Sequence, residues 1–431
     1  MSSKFSELFV LFFILSAIST ARAQESNPPM NHNEIFLKDP SVGHSSGLGP
    51  FELTSADSSS SIQLQFVGQL WMWYENFDNG SGKGRTKNLL MKARRIRLSL
   101  SGTIHKPELS YRLHLSMAPK SLELMDFYFN YKVCNNIQFR FGQYKTPFTR
   151  YRIQSFQRLV FIDWSIVTKY FGAERQMGLA LHNGFEKPPK LGYVFGVFSG
   201  VNARASHGIG LSLAYNEKAP NPSDLAGTGT PASFHPELFF HLTYNANDIR
   251  IQSNSDAENG GFRYSIGASA AWDIDPTPYH DFGLRLAPEC LIKYKGISFL
   301  AAGYAGFSDL GVQSEMKLAM TGGLLQSSYR INKTYEVAVR YSVVNFEDAL
   351  MSDAQSRANR LIADSENDPD VIAQYQSAGQ IDREQEAVLG FNVYFIDHFL
   401  KWQNDIGWLG HSLKIENKDD YLARSQFQLS F

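Results

Sequence analysis

From Ser61 to Phe431 the chain runs in short stretches in which apolar residues alternate with polar or small ones, each closed by turn residues. A period of two places successive side chains on opposite faces, the pattern of β-strands. In the last stretch Tyr421, Ala423, Phe427, Leu429 and Phe431 share one face, opposed by Leu422, Arg424, Gln426, Gln428 and Ser430. Ile96, Leu98 and Leu100 oppose Arg95, Arg97, Ser99 and Ser101; Tyr111, Leu113, Leu115 and Met117 oppose Arg112, His114 and Ser116. Tyr335, Val337, Val339 and Tyr341 likewise oppose Glu336, Ala338, Arg340 and Ser342. The pattern predicts sixteen strands, at 61–77, 89–104, 108–118, 123–133, 136–145, 175–184, 190–200, 236–247, 262–274, 282–293, 296–307, 317–331, 333–346, 384–396, 398–410 and 420–431.

The connections alternate in length. His105-Lys106-Pro107, Cys134-Asn135-Asn136, Tyr294-Lys295-Gly296, Asn332-Lys333 and Asp397 are tight, whereas 78–88, 146–174, 201–235 and 347–383 are long. Tight turns on one rim and long loops on the other is the layout of an outer-membrane barrel. One connection, 248–261, is long on the short side. In lipid every backbone amide needs a partner, so strands span only where the sheet closes, with one row of side chains toward lipid and one toward water. A soluble sandwich also alternates, but the even strand count, the loop asymmetry and a terminal Phe431 point to an all-β transmembrane antiparallel barrel. Trp71, Trp73, Tyr74, Tyr111, Tyr131, Tyr244, Trp272, Tyr294, Tyr341, Trp402 and Tyr421 lie mostly near strand ends, where interfacial girdles belong; plain β-propensity accounts for part of the set.

The N-terminus has a different character. Lys4, an apolar core from Leu8 to Ile18 and Ala21-Arg22-Ala23 make the head, centre and cleavage site of an export signal over 1–23. Residues 24–60, rich in Ser, Pro, Asn and Gly, read as a flexible periplasmic leader, leaving 61–431 for the barrel. Composition agrees: with 41 Lys+Arg against 42 Asp+Glu the chain is not a basic nucleic-acid binder. Beyond the signal no apolar run reaches the ~18 residues of a spanning helix. Cys134 and Cys290 are too far apart for a zinc-type spacing, and whether they pair depends on the fold.

Sixteen strands enclose a lumen too wide for wall side chains to fill, so it is wet or narrowed by an inserted loop. The long connection 146–174 is the candidate insert, because Phe148, Phe156, Leu159, Val160, Phe161, Ile162 and Trp164 need a surface to pack on. From Lys145 through Arg175 it carries Lys145, Arg150, Arg152, Arg158, Lys169 and Arg175 against Asp163 and Glu174, a net +4. Lumen-facing Arg95, Arg97, Arg112, Arg140, Arg263 and Arg340 add to this. A narrow passage lined by one sign concentrates the opposite ion, and guanidinium forks suit phosphate, sulfate or carboxylate oxygens. The other reading is that these arginines pair with wall carboxylates such as Glu123, Asp126, Glu237 or Glu289 and serve structure only. Catalysis is not expected, since no motif frames His114 or His241 beside Ser116 or Ser269. No phosphate cradle or metal-ligand spacing implies a cofactor, and the acidic loop 347–383 lacks a calcium-loop repeat. Within it, 352–363 is a candidate helix.

Three motifs resemble the phosphate-selective porin O and P family of Gram-negative outer membranes. They are Arg94-Arg95-Ile96-Arg97-Leu98-Ser99-Leu100-Ser101-Gly102, Phe141-Gly142-Gln143-Tyr144-Lys145-Thr146-Pro147-Phe148 and Arg175-Gln176-Met177-Gly178-Leu179. The resemblance implies a sixteen-stranded barrel, a homotrimer, an inward-folded third loop and a basic lumen that passes anions. It marks Arg95, Arg97, Lys145, Arg150 and Arg175 as pore-facing. One feature departs: 347–384 holds nine acids against Arg357, Arg360 and Arg383, a net −6 that would repel multivalent anions if it overhung the mouth. The expectation is an outer-membrane porin for small hydrophilic solutes that favours anions such as phosphate. The alternatives are a weakly selective porin, or a barrel that binds surface partners through 201–235 and 347–383.

Overall fold

The computed structural model describes residues 51–431 apart from 56–58, 81–82, 118–121, 173–174, 201–235, 275–282, 311–314 and parts of 364–378. The export signal, the leader up to residue 50 and the loop 201–235 lie outside the described residues. A short strand β1 (Phe51–Thr54) precedes β2 (Ser61–Asp78), β3 (Arg85–Ile104), β4 (Lys106–Ser116), β5 (Glu123–Cys134), β6 (Ile137–Lys145), β7 (Arg175–His182), β8 (Leu191–Phe198) and β9 (Glu237–Ala246). The sheet continues with β10 (Arg263–Asp273), β11 (Leu284–Tyr294), β12 (Ile297–Leu310), β13 (Glu315–Arg330), β14 (Tyr335–Phe346), β15 (Ile381–Ile396), β16 (Leu400–Leu413) and β17 (Asn417–Ser430). Strands β2 to β17 correspond one for one to the sixteen stretches of alternation.

Every neighbour is antiparallel, and β17 returns to pair with β2, so the sheet is a closed ring. The seam is finished by the last residue: Phe431 N donates to Phe66 O at 3.1 Å and its own carbonyl accepts from Phe66 N at 2.8 Å. Below that point β17 no longer reaches, and β1 pairs instead with Ser61–Leu64 of β2. The final residues of the leader stretch thereby cover an edge that would otherwise stand open.

Closure sorts the two faces. In β14 Glu336, Arg340 and Ser342 are essentially inaccessible, whereas Val337, Val339 and Tyr341 are 41%, 50% and 40% exposed on the outer wall. Tyr131, Tyr244, Trp272, Tyr294 and Tyr421 also face outward. Trp71 and Trp73 do not: they share the inner face with Val67 and Gln69 and are buried, so they leave the girdle set. Parity decided their direction, not their chemistry. The tight turns stand as expected, and Lys295 and Gly296 both take positive φ (45° and 82°), which a two-residue hairpin turn requires. Cys134 and Cys290 are unpaired. The long connection 347–380 contains helix α3 (Asp348–Ala363), which starts at Asp348 rather than at 352.

Candidate functional site

Residues 146–174, loop L3, join β6 to β7, and the described ones are mostly buried. Polar caps punctuate the loop. Thr149 accepts from Arg152 N at 3.2 Å to open helix α1 (Arg150–Ile153), and Ser155 opens a single 3₁₀ turn at Phe156–Arg158. Helix α2 (Ile166–Phe171) closes the loop. Between them Leu159–Trp164 is irregular and bent, and its backbone groups find partners on the far wall. Asn392 and Gln403 donate to Val160 O at 2.8 and 2.9 Å, and Arg340 donates to Asp163 O at 2.8 Å. Asp405 accepts from Ile162 N and Glu386 from Ile166 N, each at 3.2 Å. In the ring β14 stands eight places from β6, so L3 crosses the interior. Phe161 packs with Ala338 and Val388, and Ile162 with Trp71 and Trp73, which fixes the crossing by apolar contact as well.

On the near side L3 and the wall enclose a small cavity lined by Arg95, Arg97, His114, Met125, Lys145, Arg152, Phe156, Trp164 and Arg175. Only about 20 Å³ of it is open to the centre of a water molecule, room for about one water. Three carboxylates among the described residues face its five cations, Glu123 acting on Arg97. Asp163 pairs with Arg95 at 2.9 Å, and Asp126 pairs with Arg175 at 2.6 Å and with His114 at 2.8 Å. Lys145 donates to the carbonyls of Arg152 and Gln154 at 3.1 and 2.9 Å. The Trp164 ring lies 4.6 Å from the Arg152 guanidinium and 5.3 Å from that of Arg95. Arg97 Nε and Nη1 have no hydrogen-bond partner among the described residues. Burial alone would raise the Asp163 carboxyl, but Arg95 and Arg94 together hold it below the ordinary aspartate value of 3.8.

Of the residues named from sequence, Arg95, Arg97, Lys145, Arg152 and Arg175 converge here, and four stand elsewhere. Arg140 makes a bidentate pair with Glu186 at 2.8 and 2.9 Å over the Tyr128 ring, and Arg112 lies beside Tyr128. Arg150 faces Glu289 at 3.7 Å, and Arg158 lies toward Asp397. Three of the wall carboxylates named as structural partners do take arginines, Asp126 with Arg175, Glu237 with Arg285 and Glu289 with Arg150. Sequence reasoning passed over Arg424, which grips Asp405 through two bonds of 2.7 and 2.8 Å. His241 and Ser269 do meet, at 2.7 Å, as a buried hydrogen bond between β9 and β10. In the acidic loop, Leu350, Ala354 and Ala358 of α3 are buried with Phe171 and Phe346 in one apolar cluster.

Residues 64–262 match the family model of phosphate-selective porin O and P. Among curated protein sequences none matches significantly. Among solved structures the chain resembles the outer membrane channel DcaP of Acinetobacter baumannii, at 12% identity over 89% of this chain and 100% of that one, with a TM-score of 0.55. It also resembles the high-pH structure of Pseudomonas putida OprB, at 11% identity over 87% and 95% of the two chains, with a TM-score of 0.52. At such identities the likeness is one of barrel fold.

Proposed function

Residues 64–262 match the family model of phosphate-selective porin O and P, and on that basis we propose that the chain is a member of that family, an outer-membrane porin that favours small anions such as phosphate. The observation that carries the reading is the convergence of Arg95, Arg97, Lys145, Arg152 and Arg175 where L3 narrows the lumen, with Asp126, Asp163 and Glu123 as the described carboxylates that face them. The cations outnumber these acids beside low-dielectric walls, so field lines concentrate there and anions are enriched. Among the described residues no group accepts from Arg97 Nε or Nη1, which leaves charged N–H donors for an oxyanion. The side chains act by attraction and partial replacement of hydration; no bond is made or broken. Lys145 is held by carbonyls and Trp164 backs Arg152, so the charges are fixed before a solute arrives.

The same reading places the mature protein in the outer membrane of a Gram-negative cell, exported by a cleaved signal, as a homotrimer surrounded by lipid. Planar bilayers under a KCl gradient test the charge preference, and block of the chloride current by added phosphate tests the solute. A cation-selective reversal potential overturns the anion reading. A second, weakly selective reading draws support from the pairs Arg140–Glu186 and Arg424–Asp405, which balance charge along the wall. It requires that substitution of the cavity cations leave the reversal potential unmoved.

A further inference from the structure

The connection between β9 and β10, residues 247–262, is the long one on the short-turn rim, and it does not hang outside the barrel. Ile249 and Ile251 are buried in the apolar cluster that also holds Phe148 and Leu159 of L3. Ser253 Oγ lies 3.3 Å from Nε2 of His398, in the turn between β15 and β16. Since β15 stands six places from β9 in the ring, a segment anchored at β9 and β10 that touches this turn extends across the opening. Its near end is tied to β10, β11 and the turn that follows β11. Lys293 Nζ donates to Arg250 O at 2.6 Å, and Asp256 accepts from Arg263 at 2.6 Å and from Gly296 N at 2.9 Å. A buried irregular segment persists only when its polar groups are partnered in this way.

We propose that 247–262 is a floor beneath L3, a second constriction in series that sets the largest solute able to pass. The proposal rests on the channel reading given above. The floor works by size rather than by sign, because most of its charges are answered: Arg250 pairs with Glu258 at 3.0 Å, and Asp256 with Arg263, leaving Asp248. Solutes that clear the cationic cavity therefore meet a second, weakly charged barrier whose isoleucines dock it against L3.

The test uses the full-length protein in planar bilayers and in liposomes challenged with a graded series of neutral oligosaccharides. One variant replaces 248–261 by Gly-Gly; the other, Ile249→Ser with Ile251→Ser, keeps the length and undocks the segment. Folding is checked by heat-dependent migration on gels. The floor predicts a rise in single-channel conductance of about two-fold, entry of larger sugars, and a reversal potential equal to that of the wild type. A conducting wild type whose conductance and size limit are unchanged in the folded variants overturns the floor alone. Silence of wild type and variants together overturns the channel reading and the floor with it.

Discussion

The two walls that L3 touches use the same residue types for opposite ends. On the far wall each cation has an acid beside it and a piece of loop to hold: Arg340 pairs with Glu386 at 2.9 Å while donating to Asp163 O, and Arg424 grips Asp405, which accepts from Ile162 N. On the near wall five cations face Asp126, Asp163 and Glu123. A buried arginine thus serves as a strut where acids match the cations one for one and as an attractor where the cations outnumber the described acids. The local ratio of acids to bases carries the distinction, and the residue name does not.

The largest effect should come from breaking a strut. Arg340→Ala leaves Glu386 buried without its cation, and loss of one partner of such a pair costs about 3–5 kcal/mol; urea unfolding in detergent should show it, together with noisier currents as L3 loosens. Next comes the attractor. Arg97→Ala with Arg152→Ala should lower the anion-to-cation permeability ratio by about ten-fold without changing unfolding midpoints by more than a fraction of the Arg340→Ala effect. If the two walls respond alike, the contrast between them is wrong.

Acid should act through the Arg95–Asp163 pair that joins wall to loop. The folded Asp163 sits below its ordinary value of 3.8, so its stabilisation is fully present above that value and is lost as pH falls through the depressed one. Open-channel noise at low voltage should therefore stay flat from neutral pH down to about 4 and rise only below it, and Asp163→Asn should show the noise at neutral pH. The smallest effect belongs to the acidic loop. Neutralising Asp364, Glu366 and Asp368 should strengthen phosphate block by less than about two-fold in 0.1 M salt and leave it unchanged in 1 M, where the screening length falls from about 10 Å to about 3 Å.

The barrel was legible because lipid outside and water inside force alternation onto every strand, and the pairing of Phe431 with Phe66 closes a ring that the even strand count already required. Trp71 and Trp73 show where that legibility stops. An aromatic ring suits either face, and only their parity with Gln69 tells that they point inward. The basic character of L3 was also plain, but not which arginines would meet. Arg140 is answered by Glu186, 46 positions away in a turn, and Ile162 is held by Asp405, 243 positions away on the far wall. Such partners become visible only once strand register is known. Asp405 and Arg424 are direct cross-strand neighbours, so even that missed strut follows from the register of β16 against β17.

The account is tested most directly by the zero-current potential of the wild type and of an Arg97→Glu, Arg152→Glu variant under the same tenfold KCl gradient. It predicts an anion-selective potential for the wild type and a shift toward or past cation selectivity in the variant. A wild type that prefers cations, or a variant with an unchanged potential, would contradict it.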